Sequence, residues 1–422
     1  MSPSGKPVEP ADVPLPNSPT SPSGRVEFPE NAAVALLHAF INSGGPAVNS
    51  VLSPGDDIVL NIGRNRLDLQ EDDIAEGKLR PSELPWCSRY EFLKSRGYLL
   101  RPRYRPGWQA SWLSQKSGYG AEDAIILSRP HLLDATRVSD GKVVYLKSTM
   151  RSSPEIRIGE FLWSEQLRND PCNHAIPLLE VLDDPDDSDL VILVIPLLRR
   201  LDSPRPASVR EVVSLVEQTL EGLSFLHEHG IAHRDCAWGN IMMDARGMFP
   251  GGWHPQSGSR LPNGQRLSNH QTASRTAAGG VRYYFIDFGI STQDQDETIG
   301  TSGQEHAPEL SLDVPYNPYK LDVYIMGRMY QQFILQECSG AEFLKPLIDY
   351  MTPEAPGDRP TAEEASQRFK TMRANMTGSQ LSQRLRPTLP EPTAIRIFKD
   401  AYYRMCDRWW TLIPKRKLPP LA

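Results

Sequence analysis

The stretch that decides the fold is His233-Arg234-Asp235-Cys236-Ala237-Trp238-Gly239-Asn240. It follows a run in which Val212, Val213, Val216, Leu220, Leu223 and Leu226 recur at helical spacing, so a long helix with one buried face is predicted to end near Gly230. The loop beyond it carries a carboxylate, Asp235, and five residues later an amide, Asn240. A carboxylate there can orient a hydroxyl and accept its proton, and the amide oxygen can help hold a metal ion.

Working outward, Asp287-Phe288-Gly289 follows the aliphatic and aromatic run Tyr283 to Ile286. A carboxylate at a strand end, with glycine beside it for backbone freedom, suits chelation of a phosphate-bound cation. Then come Ala307-Pro308-Glu309, Leu321-Asp322-Val323-Tyr324-Ile325-Met326-Gly327 and Gly357-Asp358-Arg359-Pro360. With these motifs in order, the chain resembles the eukaryotic protein kinase family from roughly Asp123 to Lys370.

The resemblance implies an α+β, bilobal fold, with a small β-rich N-lobe and a larger helical C-lobe. It implies ATP and Mg as cofactors and transfer of the γ-phosphate to a protein hydroxyl, of the Ser/Thr class. In that pattern Asp235 is the base, and Asn240 and Asp287 hold the metal. Glu309 pairs with Arg359, and Asp322 braces the catalytic loop. Lys147, closing Val143-Val144-Tyr145-Leu146-Lys147, is the cation for the α- and β-phosphates, held by Glu155, with Glu160 the weaker choice of partner. Leu193 to Leu198 forms the strand and hinge for adenine, placing Ile195, Leu197 and Leu198 beside it, while Pro196 has no N–H to offer. Arg234 would grip a phosphate on Thr298, Thr301 or Ser302.

Strands first and helices later also reads, from the residues alone, as α+β in two lobes. The apolar runs Asp123 to His131 and Lys142 to Leu146, around Ser139-Asp140-Gly141, predict a β-hairpin. A helix is predicted from Glu155 to Leu167 and a buried strand from Leu190 to Ile195. The domain reading is a disordered Ser/Pro-rich tail (1–27), an N-terminal extension (28–120) with a helical pattern at Ala32 to Phe40, an N-lobe and hinge (121–198), a C-lobe (199–375) with an insert (245–282), and a basic, aromatic tail (376–422). Leu84 to Trp112 is read as a structural cap on the N-lobe.

The 422 residues are 39% hydrophobic and carry 46 basic against 52 acidic side chains. A net charge of -6 gives no argument for nucleic acid or membrane as a partner. The five cysteines are scattered, with no close pair, and read as reduced thiols. The N-terminus has no apolar signal core, and the longest apolar run, Leu190 to Leu198, is about half of the roughly 20 residues that span a bilayer. An intracellular protein, cytoplasmic or nuclear, is expected.

The pattern departs from the family in three places. No G-x-G-x-x-G precedes Lys147; the chain reads Leu127 to Thr136 instead, where Arg129, His131 or Arg137 would have to supply charge. Ala237 stands where serine/threonine kinases carry a lysine. The insert holds five arginines and no acid, and reads either as a tolerated surface loop or as a basic flap drawing an acidic or phosphorylated protein partner. These departures leave open a slow or specialised kinase and a pseudokinase, an ATP-binding scaffold. A small-molecule kinase of the aminoglycoside or choline type is opposed by Ala307-Pro308-Glu309 and Arg359. Finally, LKSRGYLLRPRYRPGW, NHAIPLLEVL and FPGGWHP resemble kinase-like proteins of mushroom-forming (basidiomycete) fungi, a likeness that adds no substrate. The stretch Arg396 to Lys417 reads as a helix packed on the large lobe or as a docking tail.

Overall fold

A computed structural model describes residues 77–114, 120–268, 271–387 and 392–412, with 418, 420 and 421. The Ser/Pro-rich tail and the pattern at Ala32 to Phe40 lie outside the described residues.

Helices α1 (Leu84–Ser88) and α2 (Tyr90–Ser95) lead into strands β1 (Tyr98–Leu100), β2 (Leu132–Arg137) and β3 (Val143–Met150). Then follow α3 (Pro154–Leu162), β4 (Glu180–Asp183) and β5 (Leu190–Pro196). The five strands form one antiparallel sheet in the order β1-β2-β3-β5-β4. Side chains alternate across a strand, so β3 turns Val144 and Leu146 to one face and Tyr145 and Lys147 to the other. Val144 and Leu146 join Leu133, Ala135, Ile192 and Val194 in a dry cluster that Trp86, Tyr90 and Leu93 of α1 and α2 complete. The opposite face, bearing Lys147, looks onto the candidate site.

The hairpin turn falls where expected: Gly141 has φ +70 and Asp140 accepts from Lys142 N and the Arg137 guanidinium. Its first strand does not. Glu122–Ala124 is a 3-10 turn, and the strand begins only at Leu132. The Asp123 carboxylate is taken up by Ser111 and Trp108, which fixes a loop, and Pro130 has no N–H for a ladder. The sheet's edge comes instead from Tyr98–Leu100, within the stretch read as an extension. That stretch is anchored by a buried pair: Arg103 donates to both Glu83 oxygens at 2.7 and 2.8 Å and to the Asp123 carbonyl at 3.0 Å.

The second half adds β6 (Arg199–Arg200), α4 (Val209–Glu228), β7 (Ile231–Ala232), β8 (Ile241–Met243), β9 (Tyr283–Phe285), β10 (Thr292–Gln293), β11 (Thr298–Gly300) and β12 (Ser311–Tyr316). Helices α5 (Pro318–Tyr330), α6 (Lys345–Met351) and α7 (Ala362–Ala374) follow. The side chain of Ser208 caps α4 by accepting from Glu211 N, and Gly230, at φ +71, lets the chain turn away beyond its end. The six residues that predicted this helix are all buried, in the larger of two hydrophobic clusters. A Cβ on Gly222 would lie 2.6 Å from His174 Cβ and 2.9 Å from Phe285, so glycine is what lets β9 come close. Among the described residues no helix is long and apolar enough to cross a membrane.

The segment 245–282 is not a loose surface loop. Met248, Phe249, Trp253 and Val281 are core residues, and Arg275 is 2% exposed, donating to Leu201 O and Pro204 O. Arg246 is held by Asp244, Arg260 by Gly264 O and Arg282 by Pro171 O. Four of the five arginines expected on a basic flap are therefore turned onto the protein itself.

Candidate active site

Lys147, on the site face of β3, reaches two carboxylates. Its Nζ lies 2.7 Å from both Glu155 oxygens and 2.9 Å from Asp287 Oδ1. The short run from Lys147 to Glu155 suffices because Ser153 caps α3 and Pro154 opens it, which places Glu155 in the first turn. Glu160 is exposed on the same helix, and Ile158 and Leu162 are buried. Burial works against the ammonium, yet Asp287 and Glu155 together raise Lys147 above the ordinary lysine range. Lys147 in turn lowers Asp287 to about 2, while burial raises Glu155 despite the neighbouring cation. Asp287 is 43% exposed at its side chain, so it still faces open space.

The loop after α4 is organised by Asp322, which is fully buried. It accepts from His233 N at 2.7 Å and Arg234 N at 2.6 Å, and His227 Nε2 lies 3.0 Å away. These bonds hold Arg234 at φ +65, a conformation that costs a non-glycine residue about 1–3 kcal/mol. Asp287 has φ +65 as well. His233 Nε2 lies 3.0 Å from Ile286 O, which can only accept, so that nitrogen carries the proton and Nδ1 accepts from Asp235 N. Ile286 N donates to Asn240 O, tying the Asp287 strand to the loop.

Asp235 receives Asn240 Nδ2 on Oδ2 at 2.7 Å, leaving the Asn240 amide oxygen for another partner. It also receives Gln304 N on Oδ1 at 2.7 Å and Gln304 Nε2 on Oδ2 at 3.1 Å. Burial raises the Asp235 pKa, against the pull of these donors. The Arg234 guanidinium is bonded to Ile290 O, Ile299 O and the Tyr316 hydroxyl, so the segment after Asp287 is held without a phosphate. Further on, Arg359 grips Glu309 through both carboxylate oxygens and lies over the Tyr324 ring.

On the sheet, Ile195 pairs directly with Tyr145 and so shares the face of Lys147. Leu197 is half-buried and Leu198 buried just beyond. This face is crossed by the segment that was expected to be a surface loop. The Tyr145 hydroxyl donates to Pro255 O at 2.7 Å, and Gln256 Nε2 to Asp134 Oδ1 at 2.9 Å. Gln256 Oε1 accepts from Ser128, and Arg199 donates to Gly258 O while stacking on Phe249. A cavity of about 620 Å³ remains beside it, bordered by Leu99, Val144, Pro196, Leu197 and Trp253. Of the charges proposed to replace a glycine loop, Arg137 is spent on Asp140, and His131 is lowered to about 4 by burial and the nearby Lys147 and Arg129.

No family model matches the chain. Over 207 residues, 41% of this chain, it is 27% identical to a light-sensor protein kinase of Ceratodon purpureus. Over 86 residues, 19% of the chain, it is 31% identical to the serine/threonine-protein kinase PkaB of Streptomyces coelicolor, and over 169 residues, 38% of the chain, 22% identical to the serine/threonine-protein kinase TAO2 of Xenopus laevis. The chain is similar to protein kinases. The matched stretches span 14%, 21% and 15% of those three relatives.

Within this kinase-like chain, Lys147, Glu155 and Asp287 form one cluster, Asp235 and Asn240 a second, and Glu309 with Arg359 a third. Among the described residues no group of three His, Cys, Asp or Glu gathers to hold a metal. A hard cation at Asn240 and Asp287 would complete its shell with phosphate oxygens and water, which suits two oxygen ligands and an exposed carboxylate. Sequence reasoning missed Gln304, whose only local signal is the glycine before it. It also missed Tyr145 and Gln256, which meet across a long chain separation.

Proposed function

We propose that this chain is an ATP-dependent protein kinase, transferring the γ-phosphate to a serine or threonine hydroxyl of a protein substrate, with Mg. One observation carries the reading: Lys147, Glu155 and Asp287 meet within 2.9 Å, and both Asp287 and Arg234, the residue before the Asp235 that bonds Asn240, are held in left-handed backbone. Backbone strain of this kind persists where the surrounding structure over-determines it, as at active sites. In this reading Asp235 orients the hydroxyl and takes its proton, and Asn240 and Asp287 hold the cation. Lys147, steadied by Glu155, faces the phosphates, and Ile195, Leu197 and Leu198 lie beside the purine. Arg234 secures the following segment, and Asp322, Glu309 and Arg359 brace the site. The likeness of the three sequence stretches noted above to kinase-like proteins of mushroom-forming fungi supports the same reading.

The test is phosphate incorporation from labelled ATP and Mg into generic protein acceptors. Asp235→Asn should lower the rate by about 10²-fold or more, the usual contribution of a positioned base. Equal incorporation by the two proteins would sink the enzyme reading. A second reading, a nucleotide-binding pseudokinase, is favoured by Ala237 and by the contact of Tyr145 with Pro255 on the purine face. It predicts a Mg-dependent nucleotide thermal shift with no transfer.

A further inference from the structure

We propose that Gln304 is the positioning residue for Asp235, fixing its carboxylate so that one acceptor position on Oδ1, on the side Gly303 leaves open, faces the incoming hydroxyl. This rests on the kinase reading of Asp235. A carboxylate has about four lone-pair positions. Asn240 Nδ2 and Gln304 Nε2 take both on Oδ2, and Gln304 N takes one on Oδ1. The remaining position is therefore on Oδ1.

Two glycines make room for this arrangement. At Gly303, φ is +132, and a Cβ would come within 3.5 Å of Asp235 Oδ1 and 3.3 Å of Arg234 O, crowding the side from which a hydroxyl must approach. At Gly239 a Cβ would lie 2.4 Å from Gln304 Oε1, so any other residue there would push the Gln304 side chain away. A residue that merely fills space would not send both its main-chain and its side-chain donor to one carboxylate. No donor comes from Ala237, which is a buried methyl. Bonds to an ionised acceptor are the stronger kind, so the two Gln304 donors hold the carboxylate in one orientation.

The full chain and its variants are assayed for phosphate transfer from labelled ATP with Mg, and their folding is checked by thermal melting. For Gln304→Ala we expect a fall in kcat of about 10-fold or more, with the KM for ATP changed less than about 2-fold. Gln304→Asn, too short to reach with its amide, should behave like the alanine variant. If kcat is that of the wild type in both Gln304→Ala and Gln304→Asn, or if the KM for ATP changes as much as kcat, the proposal is wrong. Wild-type activity that survives Asp235→Asn instead removes the kinase reading, and with it the catalytic half of the proposal.

Discussion

Burial keeps the His131 ring neutral in the folded chain, and the charges of Lys147 and Arg129 add to the effect, so that its pKa is lowered from 6.5 to about 4. A group lowered on folding contributes stability that is complete above its unfolded pKa and disappears as pH falls towards the folded one. His131 therefore weakens the fold between about pH 6.5 and 4, by up to on the order of 3 kcal/mol once fully titrated. Asp287 obeys the same sign in a lower window: its contribution is intact above the ordinary aspartate value of about 3.9 and fades only towards pH 2. The two windows barely overlap, so they can be told apart. Urea unfolding at several pH values should show a decline below pH 6.5 that is shallower in His131→Gln. His174 is also buried and lowered, and it is common to both proteins, so it cancels in the difference. Parallel curves for wild type and His131→Gln would show that the ring is solvated.

At the scale of elements, the segment from Trp253 to Gly258 is a strap joining the sheet, at Tyr145 and Asp134, to β6, at Arg199. It lies on the face that carries Lys147 and Ile195. Replacing Tyr145 with Phe and Gln256 with Ala should cost about 1–3 kcal/mol in lost hydrogen bonds, seen as a lower Tm. If that face is where a purine sits, the Tm rise produced by Mg and ATP should be larger in the double variant than in wild type. An equal rise would mean that the strap and the nucleotide do not compete.

The strap also shows what sequence reading can and cannot reach. Helix α4 was legible because its apolar residues repeat at helical spacing, and the loop after it because its hydrogen-bonding needs are met by particular residue types at fixed offsets. Glu155 was legible through the helical face it shares with Ile158 and Leu162. Leading into the strap, Met248, Phe249 and Trp253 are interrupted by Gly and Pro, so no period marks them as core. The apolar run Ile125 to Leu127 imitated a strand, while the real edge strand, Tyr98–Leu100, is only three residues long and lies between Gly97 and Arg101. The bond from Gln304 to Asp235 spans 69 positions, a separation at which local pattern carries no information.

For the whole molecule, the question is where the folding unit begins. The sequence places the small lobe's start at residue 121, yet the sheet's outer face is closed by Trp86, Tyr90, Leu93, Tyr98 and Leu100, all from before that point. Without them, Leu133, Ala135, Val144, Leu146, Ile192 and Val194, each no more than 2% exposed, would meet water along the outer face of the sheet. Burial of a large aliphatic side chain contributes about 1.5–3 kcal/mol, and a domain has only about 5–15 kcal/mol to lose. The Glu83–Arg103 pair would also be gone, and with it the bond to the Asp123 carbonyl. The full chain should therefore melt cooperatively, whereas one beginning at residue 121 should be insoluble or lack a transition by calorimetry. Should the shorter chain melt cooperatively and still respond to nucleotide, the first strand would be a cap on an already complete sheet.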